Sequence, residues 1–272
     1  MITLFRALAV LPLSLLHGIG AMLGWLAFLA SPTYRRRFLA NARQAGYGFA
    51  QVRGAVAAAG RLIAEVPRLW FGSAPAVQWS GEHLIEAARA EGRGIVFLTP
   101  HLGCFEATAQ GYAGRYGPIT VLYRPARKAW LRPLVDQSRA RPNLFTAPTT
   151  LAGVKQMLKA LQAGQAVGLL PDQVPPQGLG VWAPFFGQPA YTMTLSARLA
   201  RQTGAQLLLA WGERLSWGRG YRIHLRPWTG EVPAAPDAAA AQVNARMEAL
   251  IRECPAQYLW GYARYKTPRG TA

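Results

Sequence analysis

Residues 94–106 read GIVFLTPHLGCFE. Ile95–Leu98 is a short, continuous apolar run bounded by Gly94 and Pro100, the pattern of a buried strand. Two scarce polar residues, His101 and Glu106, follow it. On one continuous helix, positions five apart lie ~140° from each other, so these two side chains would diverge. They can meet if His101 sits on the turn after the strand and Glu106 just inside the next helix. Gly103 suits such a turn because glycine tolerates unusual backbone angles. An imidazole steered by a carboxylate at the carboxyl end of a buried strand is a common layout for a general base.

Working outward, further strands are predicted at 119–123, 166–170, 207–211 and 221–225. Helices are predicted at 82–90, 105–115, 130–141, 151–163, 195–201 and 238–253. Strands alternating with helices predict an α/β fold with a mixed, largely parallel sheet flanked by helices. In such sheets the site lies beyond the carboxyl ends of the strands. His101 follows the first strand, Arg124 the second (in YRP) and Asp172 the third (in PDQ, with Gln173 after it).

The chain has 272 residues and is 51% apolar, so it can bury a sizeable core and is not globally disordered. Its net charge of +18 points to an anionic partner. Most of that charge is arginine, whose planar fork suits phosphate; the lysines are Lys128, Lys155, Lys159 and Lys266. Cys104 and Cys254 form neither a metal-spaced cluster nor a disulfide framework, and no glycine-rich phosphate loop is present. No metal or cofactor is expected.

Residues 7–30, ALAVLPLSLLHGIGAMLGWLAFLA, carry no charged side chain, and Arg35, Arg36 and Arg37 follow. About 20 apolar residues span a bilayer core. The reading is an amino-terminal membrane-anchoring helix, spanning or re-entrant, within an anchor at 1–34, and a second unit at 35–272. The arginines after it place the remainder on the cytoplasmic face. His17, His83 and His224 lack a neighbouring motif and read as structural or surface residues.

The order of HLGCFE (101–106), YRP (123–125), SRAR (138–141), LLPDQ (169–173), VWAPFFGQPAYTMT (181–194) and CPAQYLWGYARYK (254–266) resembles the lysophospholipid acyltransferase superfamily. Its mark is a histidine, four residues, then an acid. Glutamate as the acid is similar to the lipid A biosynthesis (lauroyl/myristoyl) acyltransferase branch. The resemblance covers nearly the whole chain and implies a glycerolipid-acyltransferase-like fold in the bacterial inner membrane. It implies transfer of a fatty acyl chain from acyl carrier protein or acyl-CoA to a hydroxyl of a phosphorylated glycolipid. It also implies catalytic roles for His101, Glu106 and Arg139, and substrate contacts from Arg124, Asp172 and Gln173. No acyl-enzyme is expected, and nucleic acid is not an expected partner. Arg139, or a backbone amide near Gly103, is expected to serve the oxyanion, and Arg127 and Lys128 to join Arg124 in holding phosphate. Trp182, Phe185, Phe186 and Tyr191 are candidates for an acyl-chain groove.

Other readings stay open. A lysophospholipid or ornithine lipid could be the acceptor. The chain could be a non-catalytic basic module on anionic membranes, which leaves the strand-end residues unexplained. It could also be a hydrolase pairing Cys104 with His101, which thiol alkylation would test.

Overall fold

The computed structural model describes residues 2–123, 141–268 and 270. The amino-terminal part is helical: α1 (Ile2–Ala9), α2 (Leu13–Ala30), α3 (Pro32–Gln44), α4 (Phe49–Val52), α5 (Gly54–Ala64) and α6 (Val66–Phe71). β1 (Val77–Ser80) and α7 (His83–Ala90) lead into β2 (Ile95–Leu98), α8 (Phe105–Arg115) and β3 (Ile119–Tyr123). Then come β4 (Leu144–Pro148), α9 (Leu151–Gln162), β5 (Ala166–Leu169), β6 (Gly180–Phe185) and β7 (Gln188–Met193). The last elements are α10 (Leu195–Thr203), β8 (Gln206–Arg214), β9 (Tyr221–Pro227) and α11 (Pro236–Glu253). The helix expected at 130–141 falls largely on 124–140, outside the described residues.

Among the described residues the main sheet has seven strands in the order β1-β9-β8-β2-β5-β3-β4. All neighbours are parallel except β8 and β9. The largely parallel α/β expectation therefore holds. β2 is apolar throughout because both faces of the sheet are covered. Successive side chains alternate, so Val96 and Leu98 enter one core with Phe38, Val56, Leu199 and Met247. Ile95 and Phe97 enter the other, with Ile85 of α7 and Tyr112 of α8. The register Leu98↔Leu169 sets the ends of β2 and β5 side by side. That one pairing fixes the site described below.

β6 and β7 form a separate hairpin through Phe186 (φ 46°) and Gly187 (φ 77°). Phe185 and Phe186 pack into the main core, and Tyr191 is buried at the hairpin, its hydroxyl accepting from the backbone of Gly178 and Gly180. Phe185, Phe186 and Tyr191 are therefore packed rather than lining a groove, while Trp182 is 49% exposed.

The apolar amino-terminal helix is not isolated. α2 packs most extensively on α5. At their crossing a β-carbon on Gly60 would overlap the Gly20 carbonyl oxygen, and one on Gly24 would overlap that of Val56. Beside this contact Glu65, fully buried, joins four elements. Arg214 donates from Nε and Nη2 at 2.8 and 2.6 Å, the Tyr221 hydroxyl donates at 2.9 Å, and His17 of α2 donates from Nε2 at 2.9 Å. Burial alone would raise the Glu65 carboxyl, but Arg214 and His17 outweigh it and hold it at about 2. His17 is thus structural, as its lack of a motif suggested.

Candidate active site

Parallel pairing of β2 with β5 sends the turns 99–104 and 170–173 out from the same edge of the sheet. Thr99 N–H still donates to the Leu169 carbonyl at 3.0 Å, which keeps the two segments aligned beyond the strands. The Asp172 carboxylate then takes two bonds from one residue. The His101 backbone N–H donates to Oδ2 at 2.9 Å and the imidazole Nδ1 to Oδ1 at 2.7 Å. Asp172 is nearly inaccessible, at 1% exposure. Burial would raise its carboxyl, yet the facing His101 and the two hydrogen bonds hold it below the usual carboxylate range. An ionised Asp172 can only accept, so the proton of a neutral imidazole sits on Nδ1 and the lone pair on Nε2. The Gln173 amide nitrogen donates to that Nε2 at 2.9 Å.

The turn that carries His101 is braced from below. The His101 carbonyl accepts from Leu259 N–H at 3.1 Å, and Gly103 N–H donates to the Gln257 carbonyl at 3.0 Å. Gly103 has φ +60°, and a β-carbon there would overlap the Gly212 carbonyl oxygen. Glycine is needed for both reasons. The amides of Leu102, Gly103 and Cys104 already donate to Pro100, Gln257 and Gly212, so these three are not free to serve an oxyanion. Cys104 is fully buried and packs with Leu69, Ala107 and Tyr221. Burial, aided by nearby Glu65, pushes its thiol well above its ordinary value. A thiolate nucleophile paired with His101 does not fit this setting.

His101 opens onto a cleft of about 550 Å³, within the ~300–1,000 Å³ usual for ligand pockets. Glu106, the second residue of α8, lines the same cleft. Both imidazole nitrogens are engaged by Asp172 and Gln173, so the carboxylate on Nδ1 is Asp172 and not the expected Glu106. Aliphatic side chains form most of the wall, among them Leu122, Leu144, Val154, Leu170, Leu179 and Met193. Trp182, Phe185, Phe186 and Tyr191 of the hairpin are not among the residues that line the cleft. Arg198 of α10 stands at the rim. Arg124, Arg127, Lys128 and Arg139 lie outside the described residues.

One contributor escaped the sequence reading as a site residue. Arg264, 2% exposed, donates to the Tyr191 carbonyl and the Thr192 hydroxyl at 2.7 and 2.6 Å. Its charge also lowers the Asp172 carboxyl. The run GYARYK was the available signal, since an arginine among tyrosines near the end of the chain has no surface periodicity to explain it.

A family profile described as bacterial lipid A biosynthesis acyltransferase matches residues 1–267. The lipid A biosynthesis palmitoleoyltransferase of Escherichia coli K12 is 28% identical over 214 residues, 76% of this chain and 69% of the relative. The lauroyltransferase of the same organism is 31% identical over 194 residues, 70% of this chain and 61% of the relative. A lipid A biosynthesis acyltransferase of Haemophilus influenzae is 25% identical over 285 aligned residues, 98% of this chain and 89% of the relative.

Proposed function

Since the chain belongs to the bacterial lipid A biosynthesis acyltransferase family, we propose that it moves a fatty acyl chain from a thioester to a hydroxyl of a lipid A precursor. The donor is acyl carrier protein or coenzyme A loaded with a fatty acid. The observation that carries the reading is a histidine with Nδ1 held by a buried carboxylate, facing an aliphatic cleft.

The chemistry follows from that pair. The acceptor hydroxyl takes the place of the Gln173 amide at Nε2 and gives its proton to the imidazole as its oxygen attacks the thioester carbonyl. The tetrahedral intermediate collapses by breaking the carbon–sulfur bond, and the thiolate takes the proton back from the imidazolium. General-base help of this kind is worth about 10²–10⁴-fold. Asp172 fixes the tautomer and stabilises the imidazolium, as the carboxylate does in hydrolase triads. Glu106 adds a second negative charge on the cleft wall, favouring the same protonated state. Arg139 is assigned to the developing oxyanion and Arg124 to a phosphate of the acceptor. No side chain of the enzyme is acylated. The family and the apolar α2 point to membrane association, and we place the enzyme on the cytoplasmic face of the inner membrane, where acyl thioesters are available.

Membranes holding the chain, or its His101→Ala form, are supplied with acyl carrier protein bearing defined chains and a radiolabelled lipid A precursor. A heavier lipid product that appears only with the unmutated chain is the expected result. Acylation of a lysophospholipid in its place would move the acceptor to the glycerolipid class. No transfer to either would defeat the reading.

A further inference from the structure

α2 is long and apolar enough to cross a membrane. Its 18 residues rise by about 27 Å, close to the ~30 Å of a bilayer core. How the rest of the chain holds it argues for a different seating. We propose that α2 lies in the plane of an anionic membrane, half-inserted through one face, as part of a docking surface that also includes Ile63 of α5 and Trp217.

Both ends of α2 return to one body. Before it, α1 packs on α6 through Phe5 and Phe71, whose ring centroids are 6.3 Å apart, and Arg68 donates to the Ala9 carbonyl at 2.9 Å. α6 in turn binds the active-site helix: the Leu69 carbonyl accepts from Gln110 of α8 at 3.0 Å. After it, Phe38 and Ala42 of α3 are buried in the main core, and Asn41 donates to the carbonyls of Trp260 and Tyr262. A spanning α2 would set α1 and α6 across the bilayer from α3 and tear these contacts apart.

Along its length α2 is also fixed on one side. Leu16, His17, Gly20, Gly24 and Phe28 are buried, one stripe from the first turn to the last. The opposite stripe, Leu15, Ile19, Met22, Leu23, Leu26 and Leu29, is exposed. Ile63 of α5, the helix on which α2 packs, is 74% exposed, and Trp217 is 89% exposed. The Trp217 loop abuts the start of α2, with Gly218 packed against the backbone of Leu13 and Ser14. A tryptophan beside an aliphatic stripe suits the membrane–water interface.

Charge complementarity identifies the occupant. Arg6 of α1, Arg36 and Arg37 of α3 and Arg219 beside Trp217 are exposed on the segments that flank or abut α2, and among the described residues none pairs with a carboxylate. An apolar face flanked by unpaired arginines on a chain of net charge +18 fits an anionic lipid surface. Residues 1–34 thereby seat the remainder of the chain on the membrane. This proposal stands apart from the acyl-transfer reading, and its failure would leave that reading in place.

Two measurements test it on the full-length chain. In a Cys254→Ser background, Ala7→Cys and Thr33→Cys flank α2, while Cys104 is buried and silent. Sealed inverted bacterial membrane vesicles are treated with a membrane-impermeant maleimide. Labelling of both positions without detergent is expected. Labelling of one only after detergent means that α2 spans, and overturns the proposal. The purified chain is then bound to vesicles containing phosphatidylglycerol. Ile19→Glu and Trp217→Glu are each expected to weaken binding roughly tenfold or more, with pure phosphatidylcholine vesicles binding less than anionic ones. Undiminished binding by folded variants overturns the assigned surface. Both sites are exposed, so an unchanged thermal transition is expected of each variant, and Leu26→Glu replaces Ile19→Glu if that transition shifts.

Discussion

Asp172 binds His101 twice, at the backbone N–H and at the imidazole Nδ1, although 71 positions separate them. The double contact sets ring position and tautomer together. Asp172→Asn keeps the shape but loses the charge, and its amide can donate to Nδ1 and favour the wrong tautomer. A fall of at least about 100-fold in kcat is expected, with KM for the donor little changed. Glu106→Gln leaves the Nδ1 contact intact and should cost less. If Glu106→Gln is the more damaging and Asp172→Asn is nearly silent, the assignment of the orienting carboxylate is wrong.

A buried thiol predicts chemical silence. Cys104 is 0% exposed and its thiol is pushed well above its ordinary value by burial. The native chain should therefore keep its activity through treatment with iodoacetamide, and Cys104→Ala should stay within a few-fold of the unmutated rate. Mass spectrometry of the treated protein should find Cys104 unmodified until denaturant is added. Loss of activity that tracks modification of Cys104 would revive the hydrolase reading.

Why the sequence paired His101 with Glu106 while the structure sets its Nδ1 against Asp172 has a physical answer. Ile95–Leu98, Phe105–Arg115 and Ile119–Tyr123 are elements with the bounds that apolar runs and breakers indicated. Edge strands were missed: β1 and β4 are only partly buried and so lack a continuous apolar run, and β4 mixes in Thr146 and Pro148. The β6–β7 hairpin was read only as a motif, because Phe186 at φ 46° stands where asparagine, aspartate or glycine normally signals a two-residue turn. The strand ends supplied His101 and Asp172 as candidates, but not that β2 and β5 are neighbours. Strand order is a tertiary property, and proximity along the chain favoured Glu106.

The buried Glu65 cluster makes a stability prediction with a definite sign. Its carboxyl is held at about 2, below the ordinary 4.5. Stability from this group is therefore fully present above about pH 4.5 and is lost as pH falls towards 2, by about 3 kcal/mol in all. Glu65→Gln leaves Arg214 buried without its counter-charge and should cost roughly 3–5 kcal/mol at neutral pH. For a chain of this size that lowers Tm by about 10 °C. Thermal unfolding of both proteins at several pH values reads the effect. The difference between them should shrink on acidification, and a difference that grows below pH 4 would contradict the electrostatic account.

The aliphatic wall of the cleft sets a last expectation, for chain length. Val154 lies in the first turn of α9 and faces the space that His101 opens onto. Val154→Trp fills part of that space without touching His101, Asp172 or Gln173. Burying one methylene is worth about 0.8 kcal/mol. Keeping about three terminal methylenes out of the cleft thus costs about 2.4 kcal/mol, or roughly 50-fold in relative kcat/KM. The variant should lose that factor with the longest donor the unmutated chain accepts and little with donors three or four carbons shorter. Competition between two labelled donors of different length gives the ratio directly. A uniform loss across lengths would mean that the acyl chain runs elsewhere and that the cleft receives the acceptor.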